Sequence, residues 1–234
     1  MARKPQRPRS APKQAPAPPP PAGADRDRII AAFMALLAEK RFEEIGFGEI
    51  AARSGLTLAN CRGAFGSTLA IYAAHVKDLD RKVLAGAGAD MAEEPPRERL
   101  FDVLMRRIEA MAPYREATRS LLRSVACNPG LAFALNGFAV RSQHWMLTAA
   151  DIDAAGPRGM IRAQGLAMLF ASVLRTWVDD EDEGLARTMA ALDRALARGQ
   201  RWSGMLNDLC RFRPPGFFRR GRRRGDYEEE AEAA

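Results

Sequence analysis

Histidine, tyrosine and cysteine are scarce in this chain of 234 residues, which has two, three and three of them. His75 and His144 lie far apart in sequence, so chemistry that leans on imidazole as base or metal ligand has little to work with. Cys61, Cys127 and Cys210 are scattered and odd in number, without the paired spacing of a zinc site. They fit thiols in a reducing compartment better than disulfides. Aromatic residues make up only 7% of a chain that is 47% hydrophobic. The apolar content is therefore mostly Ala, Leu and Met, which favours helices over strands. No apolar run approaches the ~20 residues that a membrane-spanning helix needs, and the charged, Pro-rich N-terminus lacks the apolar centre of a secretory signal. Nucleophile elbow, phosphate-cradling loop and calcium-loop spacings are missing as well. The sequence thus predicts a cytoplasmic, non-enzymatic protein with no catalytic residues, no metal and no cofactor.

Charge is present but unevenly placed. The net charge is +7. Residues 1–24 hold five basic and no acidic side chains, and residues 211–234 hold seven and five, whereas residues 25–84 hold nine and eight. The basic character belongs to the tails. Residues 1–24, with Pro5, Pro8, Pro12, Pro16 and the run Pro18–Pro21, predict a disordered arm that either reaches into a DNA groove or merely solvates the chain. Residues 211–234 form a basic tail that turns acidic. Its Phe212, Phe217 and Phe218 among arginines suit either a membrane surface or nucleic acid, and plain solvation is the simplest reading.

The most informative stretch is 25–84. An amphipathic helix around Arg28–Leu37 is followed by a short helix with its apolar face at Phe47, Ile50 and Ala51. Gly55 then supplies a left-handed corner, Leu56 packs into the elbow, and Thr57 is placed to cap a second helix. That is the pattern of a helix-turn-helix, whose second helix can enter a major groove. An ordinary helical corner satisfies the same spacing. Phe65 closes the second helix, and Ser67 caps a further one carrying Leu69 and Ile71.

In order and spacing these residues resemble the N-terminal domain of the TetR family of bacterial transcription regulators. The resemblance implies an all-α fold, in which an N-terminal three-helix bundle with a helix-turn-helix over residues 25–84 precedes a larger helical domain for ligand and dimerisation over 97–200. It also implies a ligand-responsive repressor that binds a double-stranded operator as a homodimer. Arg26, Arg28, Thr57, Leu58, Ala59, Asn60, Arg62 and Thr68 are the expected DNA-contacting residues. The chain departs from the family where DNA is touched. Arg62 stands where a tyrosine is usual, Ala64 where a histidine is common, and Thr68 where a lysine is common. Arginine can replace tyrosine at a phosphate, Thr57, Asn60 and Thr68 can donate neutral hydrogen bonds, and Leu58 and Ala59 can meet thymine methyls.

After Leu84 a Gly/Ala/Glu-rich stretch to Pro96 marks a boundary. Helical spacing then predicts helices over about 97–111, 114–127, 131–150, 158–178 and 183–197, with the acidic turn Asp179–Asp182 capping the last. The resemblance implies an apolar effector pocket here, for a small molecule or lipid. Its expected walls are Leu104, Ile108, Met111, Leu122, Phe133, Phe138, Trp145, Met146 and Phe170, each of which also reads as simple core. Leu166, Phe170, Leu174 and Trp177, with Leu185, Met189, Leu192 and Leu196, supply apolar stripes on the last two helices. These either close the monomer's core or form a two-fold four-helix interface, as the resemblance implies.

The same half also resembles the TetR-fold lipid-binding accessory proteins of ubiquinone biosynthesis. Arg97-Glu98-Arg99-Leu100, Ala110–Tyr114, Trp145, Trp177–Asp180 and Thr188–Arg194 carry that likeness. It implies the alternative of a lipid-binding protein acting at the membrane surface, through its C-terminal tail, without operator binding.

Overall fold

The computed structural model describes residues 22–86 and 93–211, with side chains as far as 199. Among the described residues there are nine α-helices and no strand: α1 (Ala22–Glu39), α2 (Phe47–Ser54), α3 (Leu58–Ala64), α4 (Thr68–Ala85), α5 (Pro96–Met111), α6 (Arg115–Cys127), α7 (Pro129–Ala149), α8 (Gly156–Trp177) and α9 (Ala186–Arg211). Two expected boundaries need correction. The first helix takes in residues 22–24, which the sequence assigns to the disordered arm, and α9 runs on to Arg211, well past 197. The rest of the N-terminal arm and the tail beyond Arg211 lie outside the described residues.

Two apolar cores are stacked along the chain, and α4 belongs to both. The first is built on α1. Ile29, Phe33 and Leu37 recur at four-residue spacing and are completely buried, against Ile50 of α2, Cys61 of α3 and Ile71 of α4. Phe33 meets Phe42 edge-on at 5.8 Å. The core is completed by residues far along the chain, Ala117 and Leu121 of α6 and Leu131 of α7. Buried backbone polar groups need partners, and α6 provides them where the chain leaves α1. The Ser120 hydroxyl donates to the Lys40 carbonyl at 2.6 Å, and the Phe42 amide donates to Ser124 Oγ at 3.0 Å.

The second core joins α5, α7, α8, α9 and the C-terminal half of α4. Leu104, Ile108, Met146, Trp177 and Leu192 are completely buried there, with Leu79 and Val83. A buried ion pair links Asp80 of α4 to Arg107 of α5, and Ser142 of α7 donates to the same carboxylate at 2.7 Å. Asn128-Pro129-Gly130, in the gap between the helices expected over 114–127 and 131–150, starts α7. Asn128 caps α7 by accepting from the Leu131 amide at 2.9 Å, with Pro129 in the first turn, where a missing N–H costs nothing. Asp180, from the acidic turn, accepts from the Thr188 amide at 2.8 Å and its hydroxyl at 2.6 Å. Those bonds, the hydroxyl's first, hold its carboxyl below the usual carboxylate range.

Candidate nucleic-acid interface

The corner between α2 and α3 is closed by backbone geometry that only glycine takes up cheaply. Gly55 sits at φ 67°, ψ 27°. Its amide donates to the Ala52 carbonyl at 3.4 Å, and the Leu56 amide donates to Ala51 at 3.1 Å, which is the paired bonding of a Schellman cap. Arg28 reaches across from α1 and donates to the Ser54 carbonyl at 2.6 Å, so a cation sits at the negative end of α2. Arg53 and Glu39 add a two-pronged ion pair at 2.8 and 2.7 Å, and Lys40 pairs with Glu49. Glu49 also accepts from the Gly46 amide at 3.3 Å, the half of a capping box that a glycine at 46 leaves possible. The helices α1 and α2 are therefore clamped together at both ends of α2.

With that clamp in place, α3 presents almost all of its surface outward. Cys61 is its only buried residue. Thr57 Oγ1 accepts from the Asn60 amide at 3.1 Å and donates to the Asn60 side-chain oxygen, leaving the Asn60 NH2 group facing outward. Leu58 is 57% exposed, Ala59 and Arg62 are exposed, and Arg62 donates to the Gly66 carbonyl at 3.2 Å. Thr57, Leu58, Ala59, Asn60 and Arg62 thus form one continuous face with a single unneutralised charge, and half-buried Thr68 lies at the start of α4 beside it.

Arg26 and Arg28 do not belong to that face as free cations. Arg28 is the cap of α2 and also approaches Asp25 at 3.6 Å. Arg26 pairs with Asp78 of α4 at 2.9 Å, at a cleft between α1 and α4. Both are among the expected DNA-contacting residues. Each is instead drawn to an acceptor inside its own bundle, because acids and carbonyls stand within one side-chain length.

The expected pocket walls also need correction. Leu104, Ile108, Met111, Met146 and Phe170 pack on one another in the second core, and Leu122 lies partly buried against it. Phe138 is half-buried, whereas Phe133 is 84% and Trp145 48% exposed. The inward face of α7 is made by Leu131, Ser142, Gln143, Met146 and Leu147. Positions 133, 137, 141 and 145 repeat every four residues along the opposite face, so Phe133 and Trp145 point away from any internal pocket.

The interface residues divide in the same way. Leu166, Phe170, Trp177, Leu192 and Leu196 are buried within the monomer, which removes them from any contact between subunits. Leu174 and Leu185 are partly buried against that core, and Met189 is exposed. The apolar surface left outward on α8 is a different stripe, with Ile161 63% and Met168 65% exposed, flanked by Gly165 and Ser172. An amide pair, Asn136 with Gln164 at 2.9 and 3.1 Å, ties α7 to α8 beside it.

Sequence reasoning missed Asp80, Arg107 and Ser142. A signal was there, since Asp80 falls in register with Val76 and Val83, and Arg107 with Leu104 and Met111. A charge on the buried stripe of each of two helices implies a partner, although it does not say which. His75 is also buried, and burial lowers its pKa to about 4, so the ring is neutral at pH 7. Among the described residues no three His, Cys, Asp or Glu side chains are grouped to hold a metal. No helix there is long and apolar enough to cross a membrane.

No protein-family model matches the chain, and no curated protein does. Solved structures do. A TetR transcriptional regulator from Nitrosomonas europaea ATCC 19718 superposes with a TM-score of 0.59 at 23% identity, over 75% of this chain and 97% of that one. Another from Rhodococcus sp. RHA1 gives 0.55 at 19% identity, over 76% and 96%. A TetR-family regulator from Streptomyces coelicolor gives 0.50 at 16% identity, over 82% and 93%. At such identities the likeness is one of fold: this chain has the all-helical fold of TetR transcriptional regulators.

Proposed function

We propose that the protein is a DNA-binding regulator of transcription, a ligand-responsive repressor that acts as a homodimer on a double-stranded operator. The observation that carries this reading is the α3 face. A clamped α1–α2 pair holds a short helix so that Cys61 alone points inward and Thr57, Leu58, Ala59, Asn60 and Arg62 are free for a groove. Arg62 supplies the phosphate contact. Asn60 offers an amide that suits adenine, Leu58 and Ala59 offer apolar contact to thymine methyls, Thr57 holds the Asn60 side chain in place, and Thr68 donates to the backbone. Two copies related by a two-fold axis would place their α3 helices in successive major grooves. The exposed stripe of Ile161, Gly165 and Met168 on α8, with Met189 on α9, is the surface we assign to that axis. An effector releases the operator by favouring a dimer whose α3 helices are wrongly spaced, and it needs only a difference in affinity between the two states.

The test is capture of genomic DNA fragments by purified full-length protein, followed by titration of an enriched duplex. Arg62→Ala should weaken binding about equally on all sequences and reduce the salt slope by about 1, while Asn60→Ala should mainly relax specificity. No enriched fragment at moderate salt would sink the regulator.

One observation favours a second reading, that of a lipid-binding protein at a membrane surface. The helices α7 and α8 contain no Asp or Glu, and they expose Phe133, Trp145, Met160 and Ile161 beside Arg141 and Arg158. Apolar anchors rimmed by cations fit anionic headgroups. The two readings make opposite use of α8. Flotation with phosphatidylglycerol vesicles that is lost in Ile161→Ser and Arg158→Glu, with no DNA captured, would decide for lipid.

A further inference from the structure

Between α1 and the C-terminal half of α4 lies a cleft of about 740 Å³, the size of many small-molecule sites. Its floor is apolar, made by Ile30, Leu79 and Leu84. At its inner end the His75 ring meets Tyr114 edge-on at 4.4 Å. Neither the imidazole nor the phenol makes a hydrogen bond to another side chain among the described residues. Its rim is basic: Arg26, Arg81 and Lys82 stand against Asp27 and Asp78. Asp78 takes Arg26 at 2.9 Å and Arg81 at 3.6 Å, so two guanidinium groups share one carboxylate. Lys82 is exposed and makes no ion pair among the described residues.

We propose that this cleft binds an amphipathic organic anion, a carboxylate with an apolar body of medium length. The carboxylate is held at the rim by Arg81 and Lys82, where positive charge is in excess. The body covers Ile30, Leu79 and Leu84, and the inner end is closed by neutral His75 and Tyr114, whose polar atoms accept a ligand hydroxyl or water equally well. An alcohol of the same length would gain the floor and lose the rim. A cation would be repelled.

The position of the cleft gives binding a consequence, which rests on the regulator reading. The helix α4 carries Ile71 in the first core and Leu79 and Val83 in the second, and Tyr114 packs on both. The first core moves with α1, because Arg28 and the Arg53–Glu39 pair fix α1 to α2 and hence to α3. An occupant between α1 and α4 sets the angle between that unit and the second core, and so sets the spacing of two α3 helices in a dimer. The effector site is then at the seam between the domains, and the packed interior of the second core need not open.

The test uses full-length protein labelled with ¹⁵N, with sodium decanoate as probe and decanol and decylammonium as comparisons, and no DNA present. Decanoate should shift amides of α1 and α4 around Ile30 and His75. It should bind at least tenfold more tightly than decanol and bind better than decylammonium. Lys82→Glu and Arg81→Glu, both on the exposed rim, should each weaken decanoate about tenfold and leave decanol unchanged. Trp145→Ala, on the far face of α7, should change nothing. Shifts confined to α7 and α8, or equal affinity in wild type and Lys82→Glu, would overturn the proposal. A separate titration of captured operator tests the consequence. Decanoate that binds the cleft of a protein without an operator leaves the site standing and removes the regulator. An operator complex indifferent to cleft-bound decanoate removes only the coupling.

Discussion

Replacing Arg107 by Met should destabilise the protein far more than replacing Arg107 and Asp80 together. Both side chains are nearly sealed from solvent, at the meeting of α4, α5 and α7. The Asp80 carboxylate receives Arg107 and the Ser142 hydroxyl, while Arg107 also lies over the Phe170 ring at 5.8 Å and near Met146 Sδ at 4.0 Å. Arg107→Met keeps most of the packing against Phe170 but strands a buried carboxylate with one hydroxyl donor, which costs about 3–5 kcal/mol. Asp80→Leu strands the guanidinium, whose Nε already lacks a partner, at a similar cost. In the double variant no charge remains, and removing a desolvated pair in favour of apolar groups is near neutral, within about 1 kcal/mol once Ser142 is also changed to Ala. Urea denaturation of the four proteins gives the cycle directly, with a coupling energy of about 3 kcal/mol or more. Single variants whose costs simply add would show that water reaches the pair and that it does not join the three helices.

Three further outcomes are expected. His75, neutral in the fold with a pKa of about 4 against about 6.5 when unfolded, contributes stability that is full above pH 6.5 and lost as pH falls toward 4, by about 3 kcal/mol in all. The difference in urea midpoint between wild type and His75→Phe should therefore change between pH 7.5 and 4.5, and a constant difference refutes the assignment. Gly55→Ala should cost about 1–2 kcal/mol, because φ is positive there and a Cβ would stand 3.1 Å from Arg28 Nη2. An unchanged thermal midpoint would show that the corner is not held in that conformation. Met168→Glu should turn a dimer into a folded monomer in sedimentation velocity, whereas Leu192→Glu should unfold the protein. A wild type already monomeric at micromolar concentration would remove the α8 interface.

The fold was legible because its signals are local and repeated. Four-residue spacing at Ile29, Phe33 and Leu37 needs no partner to be read as a buried stripe, and Gly55-Leu56-Thr57 specifies a corner within three residues. The ends of helices were less legible. Asn128, between two expected helices, caps the second, and α9 continues through residues 198–211, where Arg198-Gly199-Gln200-Arg201 interrupts the apolar spacing before Trp202, Met205, Leu206 and Leu209 resume it. The arrangement of the two cores was not legible at all. Nothing near Ser120 or Ser124 announces that α6 will satisfy the backbone around Lys40 and Phe42, because such bonds join residues 80 and 82 apart.

The candidate site divides along the same line. The corner at Gly55-Leu56-Thr57 fixes where α3 begins, but that Cys61 alone turns inward while the more apolar Leu58 stays exposed is set by the packing on α1 and α2 and not by the sequence of α3. The fate of Arg26 and Arg28 depends on α4 and on the end of α2, so two cations that looked available are committed elsewhere. Apolar stripes carry a further ambiguity, since a helix packed on three neighbours can have two of them. On α8 the richer stripe, with Leu166, Phe170 and Trp177, is taken by the monomer, and the poorer one, with Ile161 and Met168, is left outside. Composition ranks the richer stripe first as an interface, yet a monomer's core has first claim on it, because it forms without the entropy cost of association. A residue's apolar strength in such a helix therefore argues against its facing a partner, and the outward Ile161, Gly165 and Met168 follow from that priority.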